Sequence, residues 1–226
     1  MSVRRRARPA RGVRAASTAV IPAAVLFAVC LASDAYALPA PRISAAILAG
    51  GLMPDAKLAD YQWDATPRFS WGAQALFGWN RFATGLRFTQ SGTTQTIGLP
   101  DPSSAADVTS TTWELLGQGR IATFGGNQVN ALATVGRIRL GYDPESVTID
   151  VSGSPVVVDL EPVNEWVTGV GLGVEAPVAR ALTAGLEVDH RMFRMTTAHR
   201  SGDEIVIGRE SFHEWSARVS LAWSLR

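Results

Sequence analysis

The side chains that could do chemistry are acids and arginines: Glu114, Gln118, Arg120, Arg137, Arg139, Glu175, Glu187, Asp189, Arg191, Glu214 and Arg218. Paired carboxylates do acid–base work when one is held protonated near the working pH. Here the two signs are evenly mixed, and isolated buried charges are costly. A structural salt-bridge network therefore fits better than a catalytic pair. Glu114, Arg120, Arg137, Glu187 and Arg218 are its expected members. The three histidines, His190, His199 and His213, show no metal-ligand spacing. Asp189-His190 precedes no serine at a triad-like position, and neighbours in a strand point to opposite faces. Gly169-Val170-Gly171-Leu172-Gly173 has the wrong spacing for a dinucleotide loop. The stretch from Asp143 to Glu165 holds six acids (Asp143, Glu145, Asp150, Asp159, Glu161, Glu165) and no base. It could meet a divalent cation or a basic extracellular protein, but a loop kept soluble by its charge accounts for it better. No catalytic, cofactor-binding or metal residue is assigned.

These residues must be positioned by strands. Between Pro67 and Asn80, Phe69, Trp71, Ala73, Ala75, Phe77 and Trp79 share one face, with Leu76 the exception on the other. Near the C-terminus, Trp215, Ala217, Val219, Leu221, Trp223 and Leu225 alternate with Glu214, Ser216, Arg218, Ser220, Ala222 and Ser224. A spacing of two excludes a helix. The same reading predicts eight strands, near 42–53, 67–80, 81–91, 111–124, 129–143, 164–176, 181–193 and 211–225. In the fifth, Leu132, Ile138, Leu140 and Tyr142 are read as lipid-facing, opposite Arg137 and Arg139. The connections alternate. Short ones fall at Asn80-Arg81, Gly125 to Gln128 and Pro177 to Arg180. Long ones cover about 54–66, 92–110, 144–163 and 194–210. Strand extensions are expected at Val147 to Val158 and at Ile205-Val206-Ile207.

The first 37 residues read differently. Six arginines lie between residues 4 and 14, an apolar run follows, and Ala35-Tyr36-Ala37 is a small-x-small site. Together they predict a signal peptide at 1–37, cleaved before Leu38. The whole chain has 21 basic and 20 acidic residues. The leader holds six of those bases and one acid, so residues 38–226 carry a net charge of −4. Basic character thus belongs to targeting and implies no nucleic-acid partner. Cys30, the one cysteine, lies in the leader, so no disulfide framework is expected beyond it.

Six of the seven tryptophans fall on the apolar phase: Trp71, Trp79, Trp113, Trp166, Trp215 and Trp223. Trp71 and Trp79 are eight residues apart, as are Trp215 and Trp223. Eight residues of a strand tilted near 40° rise about 20 Å, close to the ~25 Å band between two aromatic girdles. Trp79, Trp223 and Phe82 are assigned to the inner girdle. Trp71, Trp113, Trp166 and Trp215 are assigned to the outer one, with Phe88 and Tyr142. Trp63 falls in the first loop.

With leader, alternating strands, alternating connections and a C-terminal aromatic strand, residues 38–226 resemble the small eight-stranded outer-membrane proteins of the opacity-protein and OmpA/OmpX/OmpW-like group. The chain departs from that pattern at Trp223-Ser224-Leu225-Arg226, where such proteins usually end on an aromatic residue. The resemblance implies an all-β, antiparallel, up-and-down transmembrane barrel in the outer membrane of a Gram-negative-type bacterium. It implies assembly by the barrel-assembly machinery, and the bilayer and lipopolysaccharide as partners. The expected function is a non-enzymatic scaffold displaying four extracellular loops for surface interaction, adhesion or envelope integrity. A lipid A-modifying enzyme of the same shape is the alternative, with His190 and His213 its candidates. A secreted lipocalin-like binding barrel is another.

Overall fold

The computed structural model describes residues 41–97, 104–151, 153–201 and 204–225. The expected leader and its cleavage site lie outside them. Among the described residues there are ten strands: β1 (Arg42–Pro54), β2 (Arg68–Trp79), β3 (Phe82–Ile97), β4 (Ser104–Phe124), β5 (Asn127–Asp143), β6 (Ser146–Val151), β7 (Ser154–Asp159), β8 (Val163–Ala179), β9 (Leu182–Ser201) and β10 (Glu204–Leu225). Eight of them close a barrel in the order β1-β10-β9-β8-β5-β4-β3-β2. Every pairing is antiparallel. The expected all-β, eight-stranded, up-and-down barrel is present.

The register fixes the barrel's shape. From Val174 on β8 the pairing runs through Leu186, Val219, Ala49, Trp71, Gln90, Thr111 and Arg139. It returns to β8 at Asn164, ten residues from its start. That stagger tilts the strands by about 40°. Eight strands at this tilt enclose a space that side chains can fill.

The turns at one end follow from their residues. Asn80 takes φ 52°, and Gly125 and Gly126 take 56° and 85°, the positive values that tight two-residue hairpins require. At the other end the long connections are shorter than the sequence suggests. Residues 92–97 and 104–110 belong to β3 and β4, and 194–201 and 204–210 to β9 and β10. Both pairs are long hairpins. Their Thr-rich or mixed sequences carry no clean apolar phase, although β-branched residues favour the extended chain. Residues 146–159 form the expected separate hairpin, β6 with β7. The first connection holds a 3-10 helix, Ala56–Tyr61.

Candidate functional site

The interior has a charged middle between two apolar regions, a small inner cluster of Leu76, Leu116 and Leu132 with Ala83 against it and a larger one at the outer end. Arg87, Arg191 and Arg218 share the middle with Glu114, Glu187, Asp189 and Glu214, all buried. Strand alternation sends each of them inward, away from the apolar wall. Arg87 Nη2 lies 2.5 Å from Glu187 Oε2, and Nη1 lies 3.3 Å from Asp189 Oδ2. Arg87 also donates to Gln74 Oε1 from Nε (3.1 Å) and Nη2 (2.9 Å). Arg218 pairs with Asp189, whose other oxygen accepts from Ser216 Oγ at 2.6 Å. Arg191 reaches Glu214 at 3.3 Å and Glu114 at 3.9 Å. Thr134 Oγ1 donates to Glu114 at 3.0 Å. Three guanidinium groups thus meet four carboxylates on β3, β4, β9 and β10. Close approach of the strands makes room. A Cβ on Gly85 or Gly136 would collide with the backbone carbonyl of Ala75 or Trp113.

The outer end is apolar. Leu58, Trp63, Val108, Ile138, Leu140, Val167, Phe193, Met195 and Phe212 form one buried cluster, with Tyr61, Ala65, Tyr142 and Val163 packed against it. Phe193 stacks on Phe212 at 5.8 Å, and Tyr61 meets Phe212 edge-on at 5.9 Å. The first connection is folded onto this cluster. Asp55 Oδ1 accepts from Lys57 N–H and starts the 3-10 turn. Its Oδ2 accepts from the His213 N–H, where β1 leaves the ladder. Trp63 bridges to Gln95 on β3. Fully burying side chains of this size contributes about 1.5–3 kcal/mol each.

Outside the barrel the polarity also changes with height. Below the outer tryptophans the exterior is apolar: Leu86, Leu115, Val135, Val170, Leu172, Leu186 and Val219 are exposed. Above them Thr109, Arg139, Asn164, Arg194, Thr196 and His213 are exposed on the same phase, with Phe69 and Ile207 the large apolar exceptions. Apolar outside and charged inside thus becomes polar outside and apolar inside. The first arrangement suits hydrocarbon and the second suits water. The change falls at a row paired across adjacent strands, Phe88, Trp113, Arg137 and Trp166.

The expected site residues divide accordingly. Glu114, Glu187 and Arg218 lie in the charged middle. Arg120 and Arg137 do not. Arg120 is partly exposed at the inner end and donates to the Asn80 carbonyl at 3.2 Å. Arg137 is exposed on the exterior, its Cζ 4.2 Å from the Trp166 ring centroid. The reading of β5 is corrected with it. Leu132, Ile138 and Leu140 are buried inside, and Arg139 is exposed outside. Tyr142 packs on the apolar cluster, 6.1 Å from Trp63, rather than joining a girdle. The sequence-level assumption that apolar always means outward fails twice on β5: at the inner end, where Leu132 packs inside against Leu76 and Leu116, and again once the strand rises past the tryptophan row.

Among the girdle residues, Trp71, Trp113, Trp166, Trp215 and Trp223 are exposed on the outside, and Trp79 is half-buried on the same phase. Arg87, which links the charged middle across the barrel, is not among the expected members although it shares the phase of Gly85. His190 and His213 come together, stacked at 5.2 Å, with His190 4.7 Å from Trp215. Among the described residues neither ring is held by a carboxylate or hydroxyl partner. Of the acids between 143 and 165, Glu165 pairs with Arg209 at 2.5 Å and Asp150 accepts from the Gly153 N–H at 2.7 Å. Among the described residues no group of three or more His, Cys, Asp or Glu is arranged so that it could hold a metal ion.

Known structures share this architecture. The outer-membrane protein AlkL, solved in lipid bilayers, aligns over 86% of this chain and 94% of its own with a TM-score of 0.50 and 11% identity. The fold is that of the outer-membrane β-barrels. Two further outer-membrane barrels are similar at lower TM-scores. Neisserial surface protein A aligns at 0.44, with 14% identity over 80% of this chain and 98% of its own. A major outer-membrane protein of Thermus thermophilus aligns at 0.46, with 14% identity over 83% of this chain and all of its own. No protein-family model matches this chain, and no curated protein does.

Proposed function

We propose that this chain is a non-enzymatic scaffold of a Gram-negative-type outer membrane, exported by the leader at residues 1–37. Its tryptophan-bounded barrel anchors it. The first connection and the hairpins β3–β4, β6–β7 and β9–β10 meet partners outside, in adhesion or envelope integrity. The observation that carries this reading is the filling of the interior. Arg87, Glu114 and Arg218 occupy the middle at 0–1% exposure, and Val108 and Phe212 occupy the outer end at 0%. A barrel packed at two levels supports display rather than passage. The stacked His190 and His213 lack a neighbouring nucleophile–base pair, which weighs against lipid A modification.

The test joins three readouts. The chain should fractionate with the outer membrane and migrate faster on a gel without boiling. Protease added to intact cells should cut only the outer hairpins, and planar bilayers should show no stable conductance. Lipid A mass spectra should be unchanged on deletion. A soluble protein that is not heat-modifiable, a steady conductance, or altered acyl chains would each overturn this reading.

A further inference from the structure

Arg137 and Arg139 stand on the exterior of β5, where the wall passes from apolar to polar. Arg137 lies between Trp113 on β4 and Trp166 on β8 in the paired register. Its guanidinium lies over the Trp166 ring at 4.2 Å. A cation stacked by its face keeps its N–H donors free in its own plane. Arg139 is two residues further out, about 7 Å along the strand. Among the described residues it has no ion-pair or hydrogen-bond partner. Nearby exterior arginines are engaged: Arg209 pairs with Glu165, and Arg194 donates to Ser211 Oγ at 3.1 Å. The nearest acids on this phase of β5 and β4 are Asp143 and Asp107, paired with each other in register. Asp143 is four residues beyond Arg139, about 13 Å away and past the screening length of ~8 Å.

A second feature adjoins this pair on the lipid side. An open depression of about 710 Å³ runs down the barrel wall, lined by Ala45, Ala73, Ala75, Phe88, Trp113 and Leu221 among others. Its lining is almost wholly apolar. Trp113 is shared, walling the depression and pairing in register with Arg137. An anionic head and an apolar tail therefore have adjoining places at the depth where headgroup meets hydrocarbon.

We propose that Arg137 and Arg139 bind the phosphate of a multiply acylated membrane lipid, one of whose chains lies in the depression beside Trp113. Arginine suits this role because its planar fork donates to two phosphate oxygens at once. Several acyl chains suit it because the depression begins one strand away from the arginines. This deepens the outer-membrane reading by naming a lipid partner for the outward face, and it rests on the sidedness given there.

The test places the full chain in phosphatidylcholine nanodiscs and measures retained lipid by native mass spectrometry. The probes are bisphosphorylated hexa-acyl lipid A, phosphatidylglycerol and inorganic phosphate. Wild type should retain lipid A in preference to phosphatidylglycerol. R137Q/R139Q should lose roughly tenfold in lipid A retention, as expected for removing two interfacial arginines. Ala73→Trp, which fills the depression, should weaken lipid A retention and leave phosphatidylglycerol unchanged. Lipid A with photoactivatable chains should crosslink wild type along β1, β2 and β3, a readout that needs no variant. Equal retention by R137Q/R139Q would overturn the proposal. So would equal retention of phosphatidylglycerol, saturable binding of inorganic phosphate alone, or crosslinks to a second copy of the chain. Cell fractionation is independent of the nanodisc result, so failure here leaves the outer-membrane reading to its own test.

Discussion

The middle of the barrel and its outer end fill the same cross-section with opposite side chains. In the middle, arginines and acids face inward and the wall outside is apolar. At the outer end, Ile138, Leu140, Phe193 and Phe212 face inward and Arg139, Arg194 and His213 face out. The difference teaches that a strand's polarity is set by depth. Where hydrocarbon surrounds the wall, the inside takes the charge and must pair it. Where water surrounds the wall, the ordinary apolar core returns.

The largest effect should come from breaking the charged middle. Arg87→Leu leaves Glu187 and Asp189 short of a buried partner and should cost about 3–5 kcal/mol. Urea unfolding in lipid vesicles, followed by tryptophan fluorescence, measures it. Phe212→Ala opens the outer cluster and should cost about 3 kcal/mol. It should also expose the first connection to protease while the unboiled gel shift persists, because the membrane wall is untouched. A cut pattern like that of wild type would separate the first connection from the cluster.

A matched pair sharpens the boundary itself. Val170→Arg, on the exterior below the tryptophan row, should cost about 2–4 kcal/mol, and Thr196→Arg, on the exterior above it, no more than about 1 kcal/mol. Equal costs would place both sites in one medium. The smallest effect concerns Asp64 in the first connection. The Thr66 N–H and hydroxyl hold its carboxyl below the usual carboxylate range. Its contribution is therefore present above the unfolded pKa and is lost as pH falls through the lower folded value. Carboxyl NMR titration should show that depressed midpoint, and Thr66→Ala should raise it by removing the side-chain bond.

Much of this is legible in the sequence. Trp71 to Trp79 on β2, apart from Leu76, and Glu214 to Leu225 on β10 alternate clearly because these stretches lie within the membrane, so polar means inward and apolar means outward along them. Glu114, Glu187 and Arg218 follow from that rule. β5 crosses the boundary, and the rule changes sign along it. Alternation reports that two faces differ, but it does not say which one meets lipid. The rule misplaces Arg137 for that reason. Trp63 lies outside the alternating runs, and its place in the outer cluster depends on a fold of the first connection that period two cannot reveal. Arg87 sits on the legible Gly85 phase, but in a strand dominated by glycine and threonine, where the alternation that would mark it is weak.

The boundary can be measured directly. Single cysteines on the exterior phase of β5, at Ala133, Val135, Arg139 and Gly141, can carry a fluorophore in vesicles of lipids brominated along the acyl chain. Quenching should be strong at Ala133 and Val135 and fall to background at Arg139 and Gly141, with the drop at the Trp113–Arg137–Trp166 row. Quenching that continues undiminished through Gly141 would contradict the change of polarity with depth.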